Sequence, residues 1–428
     1  MSKPATKPSR EQVEVVLDAD FLPQAAYTVG TLFHAAGHGA GVFSFAYDRA
    51  WLSRPDAFEL DPQLQLHGSE SYPAGAASAF GIFVDSAPDR WGRLLMERRE
   101  TLRARSEGRR PRALGEWDFL LGVHDSCRLG ALRFRRNATA EFLDADRAMA
   151  APPLASLREL EAAALAIEDP DAPQRREFSQ WLGALLAPGS SLGGARPKAN
   201  FTDSDGSLWI AKFPSREDRR DVGAWETVTH ELARQAGIEV PPARLLDLAG
   251  RYRTFACRRF DRTTAGRRRF FVSAMTLLGR SDGQGGSYLD LAEFLSTRGS
   301  ARHRNMDLRQ LWCRVVFNIL VSNTDDHLRN HGFILETDGW RLAPAYDVNP
   351  SVDRPTHALA IDATDPTSDL ESARATAHYY GVKAAQADQI IREIRAVVAT
   401  WPKLAKAAKL PRSETELMAA AFKVVEPN

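Results

Sequence analysis

Between residues 308 and 320, Leu308, Leu311, Trp312, Val315, Val316, Ile319 and Leu320 make a wide apolar stripe at helical spacing. That pattern predicts a helix buried in a core. A second stripe, Trp225, Val228, Leu232 and Ala236, predicts a helix over 224–236. Asp89 to Leu102 reads as helical, 156–187 as mostly helical with a break at Asp169-Pro170, and 370–401 as further helices. Short apolar runs between Gly and Pro turns predict strands at Thr28 to Phe33 and Gly41 to Tyr47. Leu208-Trp209-Ile210-Ala211-Lys212-Phe213 has the apolar and aromatic residues of another strand. Residues 1–13 are polar and expected to be disordered, and Ala150-Ala151-Pro152-Pro153 marks a linker edge. These shifts divide the chain into an N-terminal subdomain at 14–136, a strand-rich lobe at 150–270 and a mostly helical lobe at 271–428. The fold class is α+β.

Composition narrows this only a little. A chain of 428 residues allows two or three domains, and 44% apolar residues can bury a sizeable core. A net charge of +1 gives no overall argument for nucleic acid or a membrane surface. Basic clusters at Arg98-Arg99, Arg103 to Arg112 and Arg267-Arg268-Arg269 read either as solvated loops or as contacts to a phosphate-bearing partner. The first thirteen residues lack the apolar core of a signal peptide, and no run of eighteen apolar residues predicts a membrane span. Cys127, Cys257 and Cys313 are few, odd in number and far apart, which suits buried thiols in a reducing cytoplasm.

The chemistry concentrates in Asn323-Thr324-Asp325-Asp326-His327-Leu328-Arg329-Asn330 and, across a short hairpin, in Asp347. An acid, an amide five residues on and a second acid form a phosphoryl-transfer pattern. Asp325 is the candidate base for an acceptor hydroxyl. Asn330 and Asp347 offer the oxygen ligands that Mg²⁺ prefers. Upstream, Ser190-Ser191-Leu192-Gly193-Gly194-Ala195-Arg196-Pro197-Lys198 is a small-residue turn in which Gly193 and Gly194 allow backbone N–H groups close to phosphate. Taken alone, such a turn is as readily structural. Lys212, at the end of its strand, is placed to hold the α- and β-phosphates of ATP, and Glu226 on the next helix to pair with it. His327 and Arg329 reach phosphate, the magnesium shell or only their own loop. The order of loop, strand lysine, helix glutamate, acidic loop and metal aspartate weighs more than any one member. The Gly-rich stretch Arg280 to Gly286 reads as a surface loop and not as a second phosphate cradle.

These segments resemble the HipA-type toxin kinases of bacterial toxin–antitoxin systems. The resemblance lies in Ser191 to Lys198, Arg259-Phe260-Asp261-Arg262, Asn323 to His331 and Leu342-Ala343-Pro344-Ala345-Tyr346-Asp347-Val348. It extends to Tyr47 to Leu52, Phe83 to Gly92 and Arg128 to Phe134 in the N-terminal part. It implies a two-lobed, protein-kinase-like fold with an additional N-terminal α/β subdomain, and serine/threonine kinase activity with ATP and Mg²⁺. It implies Asp325 as base, Asn330 and Asp347 on magnesium, and ATP contacts from Gly193, Gly194, Ala195, Lys198, Lys212 and His327. Backbone groups at Arg258, Arg259 and Phe260 would recognise adenine. Asn323-Thr324 replaces the His-Arg of ordinary protein kinases, so activation through an activation-loop phosphate is not expected. Val348-Asn349 replaces Phe-Gly after the metal aspartate.

The resemblance further implies phosphorylation at Ser191, with Ser190 as the neighbouring alternative, and self-inactivation by charge repulsion. It implies a translation-related protein substrate such as an aminoacyl-tRNA synthetase, a helix-turn-helix antitoxin of the HipB type, and operator DNA reached together with that antitoxin. Two other readings fit part of the pattern: a small-molecule kinase of the aminoglycoside type, and a non-catalytic scaffold that binds antitoxin and DNA. The intact set Lys212, Asp325, Asn330 and Asp347 argues against the scaffold.

Overall fold

The computed structural model describes residues 10–24, 26–35, 41–146, 151–169, 171–186, 194, 196–353, 356–363, 367 and 369–423. The N-terminal part is an antiparallel sheet of β1 (Arg10–Leu17), β2 (Tyr27–Ala35), β3 (Val42–Tyr47) and, after four helices, β4 (Leu132–Arg135), in the order β3-β2-β1-β4. β1 begins at Arg10, opposite Ala35, so the disorder expected up to residue 13 does not hold for 10–13. Arg10, Glu11 and Gln12 are all exposed, and Val13 and Val15 then alternate with the half-buried Glu14 on a paired strand. A register shift between Val15 and Val16 ends the alternation, and Val15, Val16 and Leu17 are all buried. The helices are α1 (Arg49–Leu52), α2 (Gly81–Asp85), α3 (Arg90–Ser106) and α4 (Glu116–Leu121). Asp89 caps α3, accepting from the Gly92 N–H at 2.8 Å, and Arg103 and Arg105 suit its C-terminal end.

The second part starts with α5 (Leu157–Ile167) and α6 (Phe178–Leu186). Its sheet holds β5 (Lys198–Thr202), β6 (Leu208–Lys212), β7 (Ala243–Leu246) and β8 (Thr254–Arg258), all antiparallel, in the order β5-β6-β8-β7. α7 (Val222–Gln235) follows β6. One face of this sheet packs on α5 and α6 through Phe201, Trp209, Leu160 and Phe178, and Trp91 and Leu95 of α3 join the same cluster. The N-terminal part is thereby fused to the lobe that follows it.

The third part contains a small sheet of β9 (Phe271–Ser273), β10 (Gly332–Glu336) and β11 (Gly339–Leu342), in the order β11-β10-β9. Its helices are α8 (Ala274–Leu277), α9 (Tyr288–Arg298), α10 (Arg304–Leu320), α11 (Leu370–Thr376), α12 (Ala384–Val398), α13 (Trp401–Ala407) and α14 (Arg412–Met418). α10 is the central core helix. Leu311, Trp312, Val315, Val316, Ile319 and Leu320 are each at most 1% exposed, as the stripe predicts. Its end delivers the acidic loop from a rigid base. Among the described residues, no helix is long and apolar enough to cross a membrane. The three cysteines are free and buried.

Of the basic clusters, several members are committed within the chain. Arg103 pairs with Glu107, Arg109 with Glu100 and Glu107, and Arg112 with Asp118. Arg268 is buried against the Asp125 carboxylate and the carbonyls of Arg128 and Gly130. It is neither a solvated loop residue nor an outward phosphate contact.

Candidate active site

Lys212 ends β6 and points at two carboxylates. Its Nζ lies 2.5 Å from Glu226 Oε1 on α7 and 2.7 Å from Asp347 Oδ1. The α7 helix fixes both partners: it carries Glu226, and its Thr229 Oγ1 donates to the Val348 carbonyl at 2.7 Å, holding the segment of Asp347. Burial works against the Lys212 charge, yet the fields of Asp347 and Glu226 outweigh it and raise the pKa above the ordinary lysine range. Burial also pushes the Glu226 carboxyl up against the pull of Lys212. For Asp347 burial is outweighed, and Lys212, with Lys198 behind it, holds the carboxyl below its usual range.

Asp347 has φ +57°, a left-handed backbone that few non-glycine residues adopt. Asn349 Nδ2 donates to the same Oδ1 at 3.2 Å. Strain of this kind persists only where the surroundings enforce it, and it aims the carboxylate into the cleft. Asn330 lines the same cavity as Lys212, Glu226 and Asp347. Its Nδ2 donates to the Asp325 carbonyl at 3.3 Å, which turns Oδ1 the other way. Mg²⁺ takes one or two protein oxygens and fills its remaining positions with water and phosphate. Asn330 and Asp347 fit that requirement. Among the described residues, no group of three or more His, Cys, Asp or Glu side chains could hold a metal alone.

The two adjacent aspartates have opposite surroundings. Asp325 is exposed at the tip of the loop. Asp326 is 3% exposed and accepts from Tyr288 Oη of α9, Asn318 Nδ2 of α10 at 2.9 Å and His331 Nε2 at 2.7 Å. Burial disfavours its charge, but His331 and these hydrogen bonds hold its carboxyl below the usual range. Asp325 is left as the acid that can meet a substrate. The loop is tied further by Asn323, whose Oδ1 accepts from the Asn349 N–H at 3.3 Å.

The apolar end of the cavity is lined by Ile210, Phe255, Cys257, Leu129, Phe260 and Tyr346. Phe260 stacks on Tyr346, with ring centroids 5.3 Å apart, and the pair forms an aromatic wall of the cavity. Burial pushes the Cys257 thiol up to about 12, so it is an inert wall. Leu129 comes from the N-terminal part, in the Arg128 to Phe134 segment of the family resemblance, which gave no sign of a place in this cavity.

The remaining candidate residues have the following places. The Arg259 N–H donates to the Leu208 carbonyl and the Arg258 N–H to the Pro242 carbonyl, so both amides are spent on the sheet. The Arg259 guanidinium turns away from the cleft to Asp261, 2.6 Å away, and to Asn200 and the Cys127 carbonyl. Arg329 does not reach the phosphate region: it grips Asp282 with two hydrogen bonds of 3.0 Å. The exposed stretch from Arg280 to Gly286 is thereby joined to the acidic loop. Lys198 is ion-paired with Asp89 at 2.7 Å. His327 is half-buried, and its Nδ1 is buried with no hydrogen-bond partner among the described residues. Gly194 has φ +106°, a conformation suited to glycine. Ser190, Ser191, Gly193 and Ala195 lie outside the described residues.

Comparison with known proteins gives this arrangement its place. A model of the HipA-like C-terminal domain matches residues 190–401, and one of the HipA N-terminal domain matches residues 24–117. The chain belongs to the HipA family. It is 29% identical over 216 residues to the serine/threonine-protein kinase toxin HipA of Shewanella oneidensis, a match covering 42% of this chain and 49% of that protein. Across three curated relatives the match spans 38% to 58% of their length. The structure resembles one solved as a Shewanella oneidensis MR-1 complex of HipA, HipB and operator DNA, with a TM-score of 0.64 at 21% identity, covering 96% of this chain and 94% of that one. The expected fold is borne out: a mixed α and β HipA kinase fold carrying an N-terminal sheet domain. Segment 342–348 brings Asp347 onto Lys212, and segment 323–331 brings Asn330 into the same cavity.

Proposed function

We propose that this chain is an ATP- and Mg²⁺-dependent serine/threonine protein kinase that acts as the toxin of a toxin–antitoxin pair. The observation that carries the reading is Lys212 held between Glu226 and Asp347 inside a cavity that also contains Asn330. Two carboxylates on one ammonium, with an amide lining the same cavity, make a site for a metal-bound polyphosphate. Lys212 offsets phosphate charge, and the apolar end of the cavity, walled by Phe260 and Tyr346, takes the base. Magnesium on Asn330 and Asp347 would supply electrostatic stabilisation of the charge that develops on the transferred phosphoryl group. The acceptor hydroxyl oxygen attacks the γ-phosphorus. The bond to the β,γ-bridging oxygen breaks, its electron pair leaves with ADP, and the hydroxyl proton passes to Asp325. Family membership favours a protein acceptor over a small molecule. A translation-related protein such as an aminoacyl-tRNA synthetase is the substrate class, and a HipB-type antitoxin with operator DNA the partner, in line with the complex named for the structural relative.

Self-inactivation completes the proposal. A phosphate on Ser191 or Ser190 adds up to about two negative charges beside the triphosphate and repels it. The test is ATP turnover by the purified chain, first stripped of loop phosphate by a phosphatase, wild type against Asp325→Asn. Asp325 is exposed, so the variant should melt as the wild type does while turnover falls by about 10²-fold or more. Mass spectrometry of the same samples after turnover should find a loop phosphoserine in the wild type alone. Undiminished turnover in Asp325→Asn would sink the assignment.

A further inference from the structure

The start of β5 is gripped by the first turn of α3 at two points. Trp91 Nε1 donates to the Lys198 carbonyl at 3.0 Å, and Asp89 Oδ2 receives Lys198 Nζ at 2.7 Å. Both side chains of the ion pair are nearly closed to solvent, at 4% for Asp89 and 2% for Lys198. The same Nζ lies 3.3 Å from the Gly194 carbonyl, on the turn ahead of the strand. Lys198 is the direct cross-strand partner of Lys212. Opposed residues of an antiparallel pair share a face, and two like charges set so are unfavourable unless anions answer them. Here Asp89 answers one lysine, and Glu226 and Asp347 answer the other.

We infer that Asp89 of the N-terminal domain is a positioning residue for the nucleotide phosphates, acting through Lys198 and the Gly194 turn. The inference rests on the proposal that this cleft takes ATP. A buried ion pair is rarely a net source of stability, because desolvation cancels much of the attraction. Its value lies in geometry: one carboxylate fixed by the α3 cap sets where the ammonium and its turn stand. The N-terminal domain thus completes the phosphate end of the site, as Leu129 completes the base end.

The experiment measures ATP and adenosine binding to the full chain by calorimetry, with Asp325→Asn throughout to keep the loop free of phosphate, in that parent and with Asp89→Asn, Asp89→Glu, Lys198→Met or the Asp89→Asn/Lys198→Met pair added. Adenosine reports the base slot and ATP the phosphate end. Asp89→Asn should weaken ATP by roughly tenfold, the scale of a lost orienting partner, and leave adenosine unchanged. Asp89→Glu should restore part of the loss. The double variant removes both charges and so keeps the fold even if Asp89→Asn alone does not. It should bind ATP no worse than Lys198→Met alone. Equal weakening of ATP and adenosine, additive losses in the double variant, or unchanged or tighter ATP binding in Asp89→Asn would each overturn the inference. A parent chain that binds neither ligand would instead overturn the proposed function.

Discussion

His357 shows how a single residue can set the acid limit of this molecule. It is 4% exposed, and burial, opposed in part by Asp326, pushes its pKa down to about 4. In the unfolded chain a histidine titrates near 6.5. Above that pH both states are neutral at this site and nothing is lost. As pH falls below it, the unfolded chain takes up a proton that the fold refuses, so stability declines until about pH 4. The loss reaches about 3 kcal/mol, from roughly 1.4 kcal/mol per pH unit. Urea midpoints at pH 7.5 and 4.5 should therefore differ, and His357→Gln should narrow that difference. An equal shift in both proteins would clear His357 of the effect. At this scale the sequence is legible where chemistry is local in order. Lys212, Glu226 and Asp347 were each read from their place in a series, and they meet. It is not legible where a partner is distant. Nothing near Arg329 announces Asp282, and nothing near Lys198 announces Asp89.

The elements explain why the acidic loop can present one aspartate and bury the next. The α10 stripe fixes the loop's starting point, and α9 supplies Tyr288 through a capping box in which Ser287 and Asp290 satisfy each other's backbone N–H. Asp326 then joins α9, α10 and the start of β10 through Tyr288, Asn318 and His331. Tyr288→Phe keeps the ring and deletes one donor to a buried carboxylate. Hydrogen bonds to charged groups contribute about 1.5–3 kcal/mol, so chemical denaturation should show a loss of that size. Hydrogen exchange should quicken at the 322–331 amides before it does in β1 to β4. Exchange that rises evenly over the chain would mean the brace is not local. The periodicity of α10 predicts the helix well because a buried stripe is an intrinsic property of the segment. The brace escapes prediction because Asp325 and Asp326 are identical as letters and differ only in what the fold puts next to them.

The whole molecule is tied together at the hinge between the sheet lobe and the helical lobe. Arg259 and Asp261 are 3% and 1% exposed and form an ion pair, joined by Arg262. From the N-terminal domain, the Gly130 N–H donates to Asp261 Oδ2 at 2.9 Å and the Cys127 carbonyl accepts from Arg259 at 2.6 Å. Burial acts against the Asp261 charge, but Arg259 and Arg262 hold its carboxyl far below the usual range. The motif gives the Arg259 side chain no role, because it carries no record of a third domain packed behind it. Asp261→Asn would leave two buried guanidinium groups short of their counter-charge. Breaking a buried pair in this way costs about 3–5 kcal/mol. Because the cluster belongs to both parts, the cost should appear as one shifted calorimetric transition, with residues 124–135 and 254–262 losing exchange protection together. A separate early transition confined to the N-terminal sheet, with the hinge still protected, would show that the clamp does not couple them.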